Sequence, residues 1–84
     1  MTMRNFCGKH VLILGAARQG VALACFLAKR QAIVTLNDRR PAQDFQEMTE
    51  ELAKLGIQTF FGSHPLDLLE GCDLLCISGG VPLD

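Results

Sequence analysis

His10-Val-Leu-Ile-Leu14, running directly into Gly15-Ala16-Ala17-Arg18-Gln19-Gly20, is the stretch that decides the fold. The first five residues are a short, almost continuous apolar run containing β-branched side chains, which suits a strand buried on both faces. The next six match the glycine fingerprint G-x-G-x-x-G with Ala17 at its middle glycine. Gly15 permits a tight turn at the strand end, and Gly20 lets the following helix approach the strand closely. The first helical turn then presents its N–H groups and the positive end of its dipole to an anion such as a diphosphate. Ala17 adds a methyl group where backbone would meet that anion, so the approach differs from that of a standard dinucleotide site.

Working outward, Arg18 to about Arg30 is dominated by apolar helix formers (Val21, Leu23, Ala24, Cys25, Phe26, Leu27, Ala28), which predicts a heavily buried helix. Ile33-Val-Thr-Leu-Asn37 repeats the strand signature and stops at Asp38-Arg39-Arg40-Pro41. Asp44 and Glu47 form an acidic version of a capping box, and Phe45, Met48, Leu52 and Leu55 follow at helical spacing until Gly56. Gln58-Thr-Phe-Phe61 reads as a short third strand, Pro65 to Leu69 as a short helix, and Leu74-Leu-Cys-Ile77 as a fourth strand entering Ser78-Gly79-Gly80-Val81-Pro82. The order β-α-β-α-β-α-β predicts an α/β, Rossmann-like parallel sheet with helices on both faces and ligand at the carboxyl ends of the strands. The chain is expected to be one domain, residues 1–84, of a longer enzyme.

Composition narrows the function classes. The 84 residues are 49% hydrophobic and 20% charged, with eight basic and nine acidic side chains, the profile of a packed globular domain. A net charge of -1 supplies no general attraction to nucleic acid or anionic membrane, so neither is expected as a partner. Val11 to Ala28 is apolar, but Gly15, Arg18, Gln19 and Gly20 interrupt it too often for a membrane span. Cys7, Cys25, Cys72 and Cys76 form no C-x-x-C pair and read as reduced packing residues, which suits a cytoplasmic protein with no metal site.

The candidate binding residues sit where the loops leave the strands. Asp38 closes the second strand eighteen residues after Gly20, near where an acidic residue meets a nucleoside in such sheets. Arg39 and Arg40 follow with guanidinium groups suited to a base face or a phosphate. Ser78 and Gly80 leave the fourth strand at the same edge, where glycine allows backbone to approach a ligand. His64 and His10 read as a loop residue and a strand-edge residue, not as catalysts.

Taken together, G-A-A-R-Q-G (15–20), L-N-D-R-R-P (36–41), G-S-H-P (62–65) and S-G-G-V-P (78–82) resemble the N-terminal domain of the Mur ligases, and within that family the branch that joins D-glutamate to UDP-N-acetylmuramoyl-L-alanine. The resemblance runs from Gly8-Lys9 to Pro82. It implies a cytoplasmic, ATP-dependent ligase of peptidoglycan precursor synthesis, in which a carboxylate becomes an acyl phosphate and is then attacked by an amine. It implies that this domain holds the UDP part of the substrate, while ATP and Mg2+ are bound by a central domain and the amino acid is brought by a C-terminal one. The 84-residue chain alone is then inactive, and the remainder of the ligase packs against the carboxyl edge of the strands.

By the same resemblance Arg18 and Gln19 fall at the diphosphate, Ala17 beside the uracil face, Asp38 and Arg39 at the uracil edge, Arg40 over the ring and Gly80 at the ribose. The family commonly has glycine at the position of Ala17 and proline at that of Gly79. An ionised Asp38 accepting from uracil N3–H, with a donor at Arg39 for a carbonyl, would favour UDP over CDP, whose N3 carries no proton. Two other readings of the same residues are an NAD(P)-binding dehydrogenase domain and a non-catalytic nucleotide-sensing domain.

Overall fold

The computed structural model describes residues 6–63 and 66–77. Four strands, β1 (His10–Leu14), β2 (Ile33–Asp38), β3 (Gln58–Phe61) and β4 (Leu74–Ile77), form one parallel sheet in the order β3-β2-β1-β4. Helix α1 (Arg18–Lys29) connects β1 to β2. A 3-10 turn (Ala42–Phe45) and helix α2 (Gln46–Lys54) connect β2 to β3, and a second 3-10 turn (Leu66–Leu69) precedes β4. The fold is thus the α/β, Rossmann-like sheet that the alternation of elements predicts.

Both β1-α1-β2 and β2-α2-β3 step the same way across the sheet, so right-handed crossovers put α1 and α2 on one face. The step from β3 to β4 reverses direction and brings the second 3-10 turn over the other face. There Asp67 and Leu68 line a cavity of about 200 Å³ with His10, Leu12, Ile33, Thr35 and Gln58 at the amino half of the strands.

Side-chain alternation separates the two faces. Val11 and Ile13 of β1 and Val34 and Leu36 of β2 point towards the helices and are at most 2% exposed, packed with Ala24 and Leu27 of α1, Leu52 of α2, Phe45 and Ile57. Only Gly20, Ala24 and Leu27 of α1 are buried, and Phe26 is exposed beneath the guanidinium of Arg30, 4.4 Å from its ring centroid. The heavy burial expected of this helix is therefore confined to one stripe: the helix covers a single face of the sheet and its outer side meets water. The capping box expected at Asp44 is also absent. Asp44 lies inside the 3-10 turn, its N–H donating to Pro41 O at 3.0 Å, and no side chain caps α2. Leu55, assigned to the apolar face, follows the last turn and is exposed.

Candidate functional site

In a parallel sheet that winds outward in two directions, the crevice lies at the carboxyl ends of the strands where the direction reverses. Here that point is between β1 and β4. The loop leaving β1 is drawn tight by Gly15, whose φ of +104 lies in the region glycine tolerates. Its N–H donates to Asn37 O of β2 at 2.7 Å. Ala17 is the extended N-cap of α1, and Val21 N–H donates back to its carbonyl at 3.0 Å. No side chain caps this helix and no acidic residue stands in its first turn, so no acidic side chain of the helix itself competes with an incoming anion there. Gly20 is buried, Ala17 half-buried, and the Arg18 and Gln19 side chains are exposed beside the turn.

Asp38, at the end of β2, joins this turn to the next loop. Its Oδ2 accepts the Ala16 N–H at 2.7 Å and Arg40 Nη2–H at 2.9 Å. Its Oδ1 accepts the Arg40 N–H at 2.9 Å and Nε–H at 3.1 Å. The side chain is 10% exposed, against 55% for Arg40. The Arg40 guanidinium holds the carboxyl far below the usual carboxylate range; burial opposes this, and the Ala16 and Arg40 backbone N–H groups reinforce it. The same contact raises Arg40 above its ordinary value.

The Arg40 guanidinium also lies over the Phe45 ring, 4.8 Å from the centroid, and Phe45 stacks on Phe61 with centroids 4.4 Å apart. Asn37 fixes the neighbouring loop: fully buried, its Nδ2 donates to Phe60 O at 2.6 Å and Ser63 O at 2.8 Å. Gly62 N–H donates to Asp38 O at 3.0 Å and Arg40 O at 2.9 Å, closing β3 onto the same corner.

Of the sequence-assigned residues, Gly15 and Ala17 in the turn after β1, Arg18, Gln19 and Gly20 in the first turn of α1, Asp38 at the end of β2, and Arg39 and Arg40 in the loop after it thus lie together at one sheet edge, with Arg39 exposed. Ser78 and Gly80 lie outside the described residues, as does His64. Sequence reasoning missed Ala16, whose amide is the link to Asp38, and the Phe45–Phe61 support under Arg40. Asn37 was passed over as the last residue of a strand, although a polar side chain in an otherwise apolar run was the available signal. Among the described residues no group of three or more His, Cys, Asp or Glu can hold a metal ion. No helix among them is long and apolar enough to cross a membrane.

A parallel sheet with a glycine-turned helix N-terminus at its reversal point defines a Rossmann-like α/β domain. Two solved structures share the fold: an NADH-dependent reductase complexed with NAD (TM-score 0.65, 24% identity, 90% of this chain and 38% of that one) and a pyridine nucleotide-disulfide family oxidoreductase from Enterococcus faecalis (TM-score 0.57, 19% identity, 71% and 16%).

Family membership is more specific. Residues 9–84 match the family described as Mur ligase MurD-like, N-terminal domain, and the chain belongs to it. Relatives named UDP-N-acetylmuramoylalanine--D-glutamate ligase are 44% identical over 80 residues in Shouchella clausii, 45% over 74 in Exiguobacterium sibiricum and 42% over 81 in Syntrophotalea carbinolica. These alignments cover 95%, 88% and 96% of this chain but only 18%, 16% and 18% of the relatives. The chain spans less than a fifth of their length.

Proposed function

We propose that this chain holds the UDP moiety of UDP-N-acetylmuramoyl-L-alanine within a cytoplasmic, ATP-dependent ligase that adds D-glutamate during peptidoglycan precursor synthesis. The observation that carries the reading is the conjunction of MurD-like family membership with an uncapped helix N-terminus at the reversal point of the sheet. In this reading the diphosphate lies on the amides from Ala17 to Gly20, with Arg18 and Gln19 alongside. The uracil lies against the Asp38-Arg39-Arg40 loop, and Ser78 and Gly80 complete the ribose side. The remainder of the ligase closes over the carboxyl edge of the strands.

ATP and Mg2+ belong elsewhere in that parent protein. The residues of this chain do not fit them, since the sequence holds no G-K-[ST] phosphate loop and the described residues offer no metal cluster. What this domain contributes to ligation is binding and orientation of a remote part of the substrate, which is worth rate only if it fixes the reacting carboxylate for the other domains.

Titration followed by amide NMR tests the assignment. UDP is expected to shift Gly15 to Gly20 and Asp38 to Arg40 at lower concentration than NAD or NADP, with pyrophosphate moving the first group alone. A clear preference for NAD would replace the ligase reading with a dinucleotide one.

A further inference from the structure

We infer that Asn37 is a positioning residue for the nucleotide site: from the face of the sheet opposite the helices it locks the turn after β3, and through that turn it fixes the main chain of the loop leaving β2. The inference rests on the nucleotide-binding reading above and adds to it a residue that touches no ligand.

Burial sets Asn37 apart from its neighbours. Leu36 faces the helices, so Asn37 faces the other way. There it shares a row with Phe60 and Ile77, which are 48% and 47% exposed, yet Asn37 is 0% exposed. A polar side chain so far from water is costly unless its donors are used. Its amide nitrogen carries two N–H groups, and it donates to Phe60 O at 2.6 Å and to Ser63 O at 2.8 Å. The second of these bonds draws the turn after β3 over Asn37, which accounts for its burial.

Between those two carbonyls stand Phe61 and Gly62. Gly62, at φ +99, takes a backbone conformation that other residues rarely adopt. Its N–H donates to Asp38 O at 3.0 Å and to Arg40 O at 2.9 Å. The contacts are therefore continuous: Asn37 holds a carbonyl on each side of Gly62, and Gly62 holds a carbonyl on each side of Arg39. Every acceptor in this series is a main-chain oxygen, so Asn37 sets the path from which the side chains of residues 38–40 project. Being fully buried, it acts on a ligand only through that path. The turn after β1 is held to the same residue differently, by Gly15 N–H on Asn37 O, a main-chain contact that a change of side chain leaves in place.

Titrations of wild type, Asn37→Leu and Asn37→Asp with UDP and pyrophosphate, followed by amide NMR, test the role. Leucine is close in size and has no donor. Asn37→Leu is expected to weaken UDP about tenfold, on the scale of a buried hydrogen bond, and pyrophosphate by about twofold or less. In Asn37→Asp the ionised carboxylate has no donor and faces carbonyl oxygens, whereas its protonated form recovers one. Burial and those oxygens raise the new carboxyl, so the UDP affinity of Asn37→Asp relative to wild type recovers in part between about pH 7 and pH 5. The same ratio for Asn37→Leu stays flat. Wild type supplies a readout free of any folding defect: if the held turn favours UDP, UDP favours the held turn by the same factor. Saturating UDP therefore slows water exchange of the Asn37 Nδ2–H and Gly62 N–H groups. Equal losses of UDP and pyrophosphate affinity in Asn37→Leu, a flat pH response in Asn37→Asp, or unchanged exchange at both groups in UDP-saturated wild type overturns the proposal and leaves the nucleotide assignment standing. If UDP moves no amide between Gly15 and Gly20 in wild type, the nucleotide assignment itself fails and this role for Asn37 fails with it.

Discussion

At the residue scale, Asp38 links charge to stability. Its folded-state pKa is depressed below the unfolded value of about 3.9, so the native state gains from its ionisation at every pH above that value and loses the gain as pH falls through the folded pKa. Asp38→Asn keeps the shape and removes the charge. It is expected to lower unfolding free energy by about 1–3 kcal/mol at neutral pH, the range for hydrogen bonds to a charged group. In urea titrations the gap between wild type and variant should narrow by about pH 3, where the wild-type carboxylate begins to lose its advantage. A gap of the same size at both pH values would mean that packing, not ionisation, is what the carboxylate supplies. Gly15 makes a separate claim. At φ +104 a side chain is strained whatever space surrounds it, so Gly15→Ala should cost about 1 kcal/mol or more. That corresponds to a melting point lower by about 4–8 °C for a domain of this size, and an unchanged melting point would contradict the turn geometry.

Among the elements, β2 bears most of the packing because it lies between β1 and β3 under both helices. Leu36, fully buried at its centre, should cost about 2–5 kcal/mol on truncation to Ala, a large share of the roughly 5–15 kcal/mol that holds a small domain together. Leu55→Ala, at an exposed position just past α2, should change stability by about 0.5 kcal/mol or less. Denaturant curves for the two variants check the contrast, and comparable losses would mean that the buried face is misplaced. The strands were legible because each is an apolar run stopped by glycine or a polar cluster, and their bounds fall within a residue of the sequence reading. The helices were less so. The Ala and Cys residues of α1 look like core by composition, yet small apolar residues sit readily at a helix surface, and only contact with the sheet selects Ala24 and Leu27. The start of α2 was displaced because a 3-10 turn consumed Asp44. In the candidate site, the glycine turn and Asp38 were visible as local motifs, whereas the Phe45–Phe61 stack and the Ala16–Asp38 bond join residues sixteen and twenty-two apart in sequence, which no local pattern encodes.

For the molecule as a whole, the two faces of the sheet differ in how they meet water. The helix-covered face holds the core, while on the opposite face strand alternation aligns Phe60, Asn37, Leu14 and Ile77 in one row, with Leu75 and Ile33 in the rows before it. Phe60, Ile77, Leu75 and Ile33 are 44–48% exposed, and among the described residues β4 pairs on one side only, with β1. Apolar side chains gathered on one face, beside an open strand edge, favour association between molecules. The 84-residue chain is therefore expected to self-associate as its concentration rises, despite a composition typical of a globular domain. Sedimentation velocity across a concentration series measures this. Replacing Leu75 and Ile33 with Lys puts charge on that face and edge without touching the core, so the double variant should remain monomeric to higher concentration. Because both side chains are 44% exposed, each substitution should cost far less than truncation of the fully buried Leu36. If the proposed UDP site is right, the amide response of Gly15 to Gly20 should be retained, since Leu75 and Ile33 belong to neither of the two segments assigned to it. Association that persists undiminished in the double variant would show that some other surface drives it, and would remove the open sheet face as its cause.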